Sequence, residues 1–151
     1  MQDDAPSPET LIRFRELLLD TMKRHLATAD ALDTKAWQAL GVGSIVLGLG
    51  VAGELRGYAL IVALGAYGAL AYGAFRCVRV RGWKAPPEGD DLWRDGWNLE
   101  PEDFDHTIVK ALTIAEPINR KAIGDKAAAV SIAIIGLAAE ITILTIAAAF
   151  A

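Results

Sequence analysis

AAAVSIAIIGLAAEITILTIAAAFA, Ala127 to Ala151, is the last and longest apolar run of the chain, and its reading decides the fold. An α-helix rises about 1.5 Å per residue, so a run of this length covers the roughly 30 Å hydrocarbon core of a bilayer. Glu140 stands near its middle and is its only charged residue. A carboxylate at that depth costs on the order of 2 to 3 kcal/mol or more, so by default it faces protein or water rather than lipid and is a functional candidate. On a helical wheel Ala133, Gly136, Ile143, Leu144 and Ala147 share its face. That face is mostly small and suits a bundle interior.

Two further apolar blocks precede this run. Ala36 to Gly53 is the shortest and the richest in glycine, and Tyr58 to Phe75 follows it after the tight turn Glu54-Leu55-Arg56-Gly57, giving a helical membrane hairpin. The chain has 151 residues, 53% of them hydrophobic, and these are gathered into three blocks rather than spread through amphipathic elements, which is the signature of a small integral membrane protein. Met1 to Pro8 is acidic and polar, with no basic segment leading into an apolar core, so a cleavable signal peptide is not expected and the first span acts as its own insertion signal. Gly65, Ala69 and Gly73 recur at every fourth position in the second block, and Ser44 and Gly48 offer small side chains in the first. In lipid, close helix contact relies on such faces. The hairpin is therefore built to pack against other helices, either within the chain or between copies.

The segments outside the blocks are helical in pattern. Ser7-Pro8-Glu9 reads as an N-cap, a proline at the first helical position and an early acid. Leu11, Phe14, Leu18, Met22, Leu26, Ala29 and Leu32 follow at helical spacing. The expectation is an amphipathic helix from Pro8 to Thr34 that leads into the first block without a clear break. Arg76-Cys77-Val78-Arg79-Val80-Arg81 alternates like a short strand but reads equally as the end of a membrane helix whose arginines reach out of the lipid. Ala85 to Asp91 is a polar loop, and Trp83, Trp93 and Trp97 form either a headgroup-level belt or a small soluble knot. Glu100-Pro101-Glu102-Asp103 starts another helix, with Phe104, Ile108, Leu112 and Ala115 on one face and a kink expected near Pro117. It continues into the third block at Lys126.

The resulting expectation is an all-α chain in four parts: a cytoplasmic amphipathic helix (1–35), a membrane hairpin (36–75, with spans 36–53 and 58–75), a cytoplasmic loop and helix (76–126) and a third membrane helix (127–151), assembled as an oligomeric bundle. Lys and Arg lie before the first span and between the second and third, whereas the short turn holds Arg56 alone. The positive-inside rule then puts the N-terminus in the cytoplasm and the C-terminus outside a bacterial inner membrane. An internal echo, Ala31-Leu32-Asp33-Thr34-Lys35-Ala36 against Ala122-Ile123-Gly124-Asp125-Lys126-Ala127, marks both places where a long cytoplasmic helix runs into the membrane.

Little in the chain points to chemistry. The single cysteine, Cys77, excludes an internal disulfide framework and is read as an inert thiol or, just after a span, a palmitoylation site. His25 and His106 lie in different helices and lack the spacing of a zinc site. No phosphate-binding glycine loop, nucleophile elbow or paired-histidine helix is present, so an enzyme is not expected and no cofactor is assigned. Glu140 has two readings. It is either a buried, satisfied carboxyl, hydrogen-bonded to Ser131, Thr142, Thr145 or a tyrosine or carrying a proton, or one of a ring of carboxylates in an oligomeric pore, which would favour cations. The net charge of −4 conceals a basic cluster at Arg76, Arg79, Arg81 and Lys84. These residues anchor the chain to anionic lipid headgroups, or, with Arg120, Lys121 and Lys126, ring a vestibule for an anionic ligand such as a nucleotide or oligonucleotide.

The amphipathic first helix, the Asp33-Thr34-Lys35-Ala36 approach to a membrane hairpin, and a helix carrying Asn119, Arg120, Asp125 and Lys126 into a final span together resemble the small multi-span effectors of bacterial anti-phage defence, of SLATT, Pycsar and Hailong type. The resemblance covers the whole architecture through short motifs. It implies an oligomeric ion channel that depolarises the inner membrane, gated from the cytoplasmic side by a nucleotide signal made by a partner nucleotidyltransferase or cyclase. This chain has no separate nucleotide-sensing domain, so such a site would be assembled between protomers. The expected function is accordingly a homo-oligomeric channel, a tetramer being the working size, with Glu140, Gly136, Ala133, Ile143, Leu144 and Ala147 along the path and the basic residues holding the ligand. The alternative is a non-conducting scaffold that recruits a cytoplasmic partner. A proton-coupled transporter is weaker, because one ionisable residue and three spans leave little material for alternating access.

Overall fold

The computed structural model of the chain describes residues 7–53, 57–80 and 99–150. Three α-helices, α1 (Pro8–Ala52), α2 (Tyr58–Arg79) and α3 (Pro101–Ala149), account for nearly all of them, and no strand occurs among the described residues. All three are long and apolar enough to cross a membrane.

Each helix begins or ends as its local sequence requires. Ser7 Oγ accepts the Thr10 N–H at 3.3 Å and the Ser7 carbonyl accepts that of Leu11 at 3.1 Å, while Pro8 occupies the first turn, where its missing N–H costs nothing. α1 then runs for 45 residues, so the amphipathic segment and the first apolar block are one helix, as the absence of a break in the sequence predicts. Gly57 precedes α2 with φ 64°, a left-handed conformation that favours glycine. Residues 76–79 are helical, and the Val80 N–H closes the end of α2 on the Cys77 carbonyl at 3.3 Å. Arg76 and Arg79 in the last turn complement the negative end of the helix dipole. α3 spans 49 residues with Pro117 inside it. The proline removes the N–H that would bond to the Thr113 carbonyl, yet the helix is not interrupted there. The expected tryptophan belt and polar loop lie outside the described residues.

The chain packs as two units. In the first, Met1–Ala27 with Arg81–Ala122, the core is Met22, Leu112 and Ala115, flanked by Leu18, Leu19 and Ile108. Arg15 Nη1 bonds Asp105 Oδ1 at 2.5 Å, and Asn119 Nδ2 donates to Met22 Sδ at 3.1 Å. Both sets of numbers rise together, so α1 and α3 run parallel in this unit.

In the second unit, Thr28–Val80 with Ile123–Ala151, Ala36, Ala74, Cys77, Ala129 and Val130 form a buried cluster against which Leu32 and Leu40 pack. Asp33 meets Lys126, and Gly50 lies against Leu144. Here too α1 and α3 are parallel. Cys77 meets Asp33 whereas Leu70 meets Gly43, so α2 runs the opposite way.

A seven-residue repeat underlies this packing. Leu112, Asn119, Lys126, Ala133, Glu140 and Ala147 recur along α3, and Met22, Ala29, Ala36, Gly43 and Gly50 along α1, all buried or half-buried. Such a period keeps one seam facing its partner, as in coiled coils. Outside the seam the large side chains of the second unit are open, with Ile45, Leu49 and Ile135 each 65–69% exposed, as lipid-facing residues would be.

Candidate functional site

Glu140 lies on the seam of α3 and is fully buried. A methyl group at Gly43 of α1 would stand 3.0 Å from Glu140 Oε2 and 2.8 Å from Leu70 Cδ2 of α2, so the carboxyl group sits over a glycine and beside a leucine. Glycine is what lets it fit.

The residues around the carboxyl are held even more closely. A methyl at Gly136 would come within 2.6 Å of the Leu70 backbone nitrogen, and one at Gly73 within 2.6 Å of the Ala133 nitrogen and 2.7 Å of the Ala129 carbonyl oxygen. Backbone meets backbone at both places. One turn beyond, a methyl at Gly50 would stand 2.6 Å from Leu144 Cδ2. Ala133, Gly136 and Glu140 are thus buried among the helices of one chain, and Ile143, Leu144 and Ala147 are half-buried. The face that the sequence expects along a pore is, in this structure, the inner face of a single chain.

Neither oxygen of Glu140 has a hydrogen-bond partner among the described residues. The hydroxyls that a structural role would call on are engaged elsewhere. Ser131, Thr142 and Thr145 donate to the carbonyls of Ala127, Ala138 and Ile141 at 3.0, 2.8 and 2.8 Å. Ser44 donates to the Leu40 carbonyl at 2.8 Å and shares a 2.9 Å bond with the Tyr67 hydroxyl. The Tyr72 hydroxyl accepts from Arg76 at 3.4 Å, and Tyr58 is 88% exposed. A buried polar group without a partner costs about 1–3 kcal/mol, and more if charged.

Fourteen residues earlier on the same seam, Lys126 has the opposite circumstances. Its Nζ donates to both carboxylate oxygens of Asp33, at 2.5 and 2.6 Å, and the Cys77 thiol donates to Asp33 Oδ1 at 3.4 Å. One residue from each helix of this unit meets there. The Lys126 side chain is 10% exposed and that of Asp33 is 32% exposed, so the lysine is the more enclosed partner. At about 1.5 Å per residue, this cluster lies roughly 21 Å along α3 from Glu140.

The basic residues expected at an anionic ligand differ in their local settings. Arg76 and Arg79 project from the last turn of α2. Arg120 is paired with Glu116 at 2.7 Å on an exposed face, with Lys121 exposed beside it. Lys126 points inward to Asp33, and Arg81 and Lys84 lie outside the described residues. Asp33, Cys77 and Asn119 are interior contact residues that no short motif in the sequence marks as such. The signal available was spacing, since Asn119 and Lys126 fall on the seven-residue register of Glu140. No protein family, curated protein or solved structure matches the chain.

Proposed function

We propose that the chain is an ion-conducting membrane protein in which Glu140 is the group the ion engages. One observation carries this reading: a carboxyl at mid-span, fully buried, with both oxygens unpartnered. A carboxyl retained for structure would be hydrogen-bonded, because buried polar groups nearly always are. Here the hydroxyls of Ser44, Ser131, Thr142 and Thr145 donate to helix carbonyls instead, so the side chain adds cost to the packing without a structural return. Ionisable residues in that position mark ion and proton pathways.

The helices are closed over Glu140, so conduction requires α1 and α3 to part. Gly41, Gly48, Gly65 and Gly68 meet nothing in the chain's own packing, and open glycines on membrane helices favour assembly into a homo-oligomer. From the resemblance described above, the setting we propose is a depolarising effector of anti-phage defence in a bacterial inner membrane, controlled by a nucleotide signal on the cytoplasmic side. The non-conducting scaffold is favoured by a different observation: Ile12, Phe14 and Leu17 of the first unit are 41–61% exposed, an apolar surface open to a protein partner.

The test is ion flux through purified wild-type and Glu140→Gln protein in liposomes, with particle size measured in detergent. Flux that Glu140→Gln changes while size does not supports the channel. Flux unaffected by the substitution in intact particles removes Glu140 from the path.

A further inference from the structure

We infer that the ion handled at Glu140 is the proton, taken up and released by a carboxyl enclosed within one chain; the inference rests on the ion-conducting reading above. Two features of the site carry it, the first being where the carboxyl points. A ring of carboxylates around the axis of a homo-oligomer requires Glu140 to face outward from its own chain, yet it is fully buried against Gly43 of α1 and Leu70 of α2. A route that uses Glu140 therefore passes between the helices of each protomer.

The second feature is what surrounds that route. A metal cation that sheds its water needs oxygens in its place, about six to eight for calcium and a ring of carbonyls for potassium in its channels. Glu140 supplies two. Gly43 of α1 and the methyls of Leu70 of α2 stand beside the carboxyl and offer no side-chain oxygen, the helix carbonyls are committed to the helices, and the hydroxyls of Ser44, Ser131, Thr142 and Thr145 lie at exposed positions rather than in the buried site. A cation that keeps its water needs a lumen wider than a single file of waters, and the backbone contacts of α2 with α3 at Gly73 and Gly136 close one side of any opening made by parting α1 from α3. A proton needs only one acceptor oxygen and a file of waters on each side. Residues 36–52 of α1 and 58–75 of α2 contain no charged side chain; their titratable groups are Tyr58, Tyr67 and Tyr72, of which Tyr67 is held by Ser44, and the Asp33, Cys77 and Lys126 cluster lies at the far end of the seam.

The transfer balances simply. Hydronium on one side gives its proton to a carboxylate oxygen of Glu140, leaving water and a neutral carboxyl. A water on the other side then takes that proton and restores the carboxylate. No oxidant, reductant or further group is needed.

The experiment uses the full chain in liposomes of phosphatidylethanolamine and phosphatidylglycerol, with two readouts. Internal pH is followed with pyranine under a potassium diffusion potential set by valinomycin. Sodium and potassium flux are followed separately, without valinomycin, using ion-sensitive dyes. Wild-type protein is expected to move protons and to leave sodium and potassium at the protein-free level. Glu140→Gln, which has no partner to lose and keeps the side-chain shape, is expected to remove the proton flux without changing particle size, and Glu140→Asp, which keeps a titratable group, to retain part of it. Glu140-dependent sodium or potassium flux would overturn the proton assignment and leave the channel standing. Proton flux that persists in Glu140→Gln would also overturn it. No flux of any ion from wild-type protein at either polarity, both without and with a panel of linear and cyclic nucleotides added on both sides of the membrane, would remove the ion-conducting reading, and the proton with it.

Discussion

Removing Asp33 is expected to harm the protein more than removing Lys126, although the two form one ion pair. The reason is their unequal enclosure: the lysine side chain is 10% exposed and the aspartate 32% exposed. Asp33→Ala leaves a nearly enclosed ammonium with both of its acceptor oxygens gone. Breaking a buried pair in this way costs about 3–5 kcal/mol, and the partial exposure of the pair puts this one at the lower end. Lys126→Met fills the space with an unbranched apolar chain and leaves a carboxylate that reaches water and still accepts the Cys77 thiol. Its cost is about 1–2 kcal/mol, the loss of the bidentate ammonium contact from a partly solvated carboxylate. The double substitution Asp33→Ala with Lys126→Met leaves no charge stranded, so it is expected to cost less than Asp33→Ala alone, with a coupling of about 1–3 kcal/mol. The assay is the unfolding midpoint of each purified variant in mild detergent, followed by helical circular dichroism as a denaturing detergent is added. Equal losses for the two single variants, or a double variant whose loss is the sum of both, would refute the view that Lys126 is the dependent partner.

The same apparatus tests two other assignments. Alanine at Gly136 or Gly73 drives a methyl into a neighbouring backbone at 2.6 Å and is expected to cost about 1–3 kcal/mol, whereas alanine at Gly124, whose added methyl would meet nothing within 4 Å, is neutral or slightly stabilising through helix propensity. Similar losses at Gly136 and Gly124 would contradict the chain-internal packing described above. Cys77 is fully buried and donates to Asp33, so a maleimide is expected to label it only after unfolding, and Asp33→Ala is expected to speed that labelling by loosening the cluster. Labelling of the folded wild-type protein at the rate of a free thiol would count against the cluster.

The sequence makes the helices legible and hides how they meet. Length and apolarity suffice for three spans, and the Ser7-Pro8-Glu9 start and the unbroken pattern through Thr34 suffice for a continuous α1. The inner faces were harder to read, because a stripe drawn at the ordinary helical period drifts against a seven-residue repeat. Drawn that way, the stripe on α1 includes Phe14 and Leu26, and both are 43% exposed. Counted in sevens, Met22, Ala29, Ala36, Gly43 and Gly50 fall into one buried line. The face of Glu140 was identified from its small residues, but small residues serve a helix in the same chain as readily as one in another copy. Only the contacts of Gly43, Gly73 and Gly136 distinguish the two. The pairing of Lys126 with Asp33 is not legible in the sequence, because the partner lies 93 residues away, beyond the reach of any local pattern.

Three polar residues occupy the seam of α3, and their fates differ in a way that bears on what the seam is for. Asn119 reaches Met22, Lys126 reaches Asp33, and Glu140 reaches nothing. A polar residue on a coiled-coil seam costs stability and in return fixes register, because only one alignment brings its partner opposite. Asn119 and Lys126 fit that account: each has a partner on α1, and sliding α1 against α3 by a turn would strand both. Glu140 does not fit it, since Gly43 offers no group to recognise and any other small residue there would serve the register as well. Register therefore explains two of the three polar positions and leaves the third without a structural use. The residue left over is the one at mid-span, where an unpaired carboxyl is most costly, and it is the residue on which the proposed conduction depends.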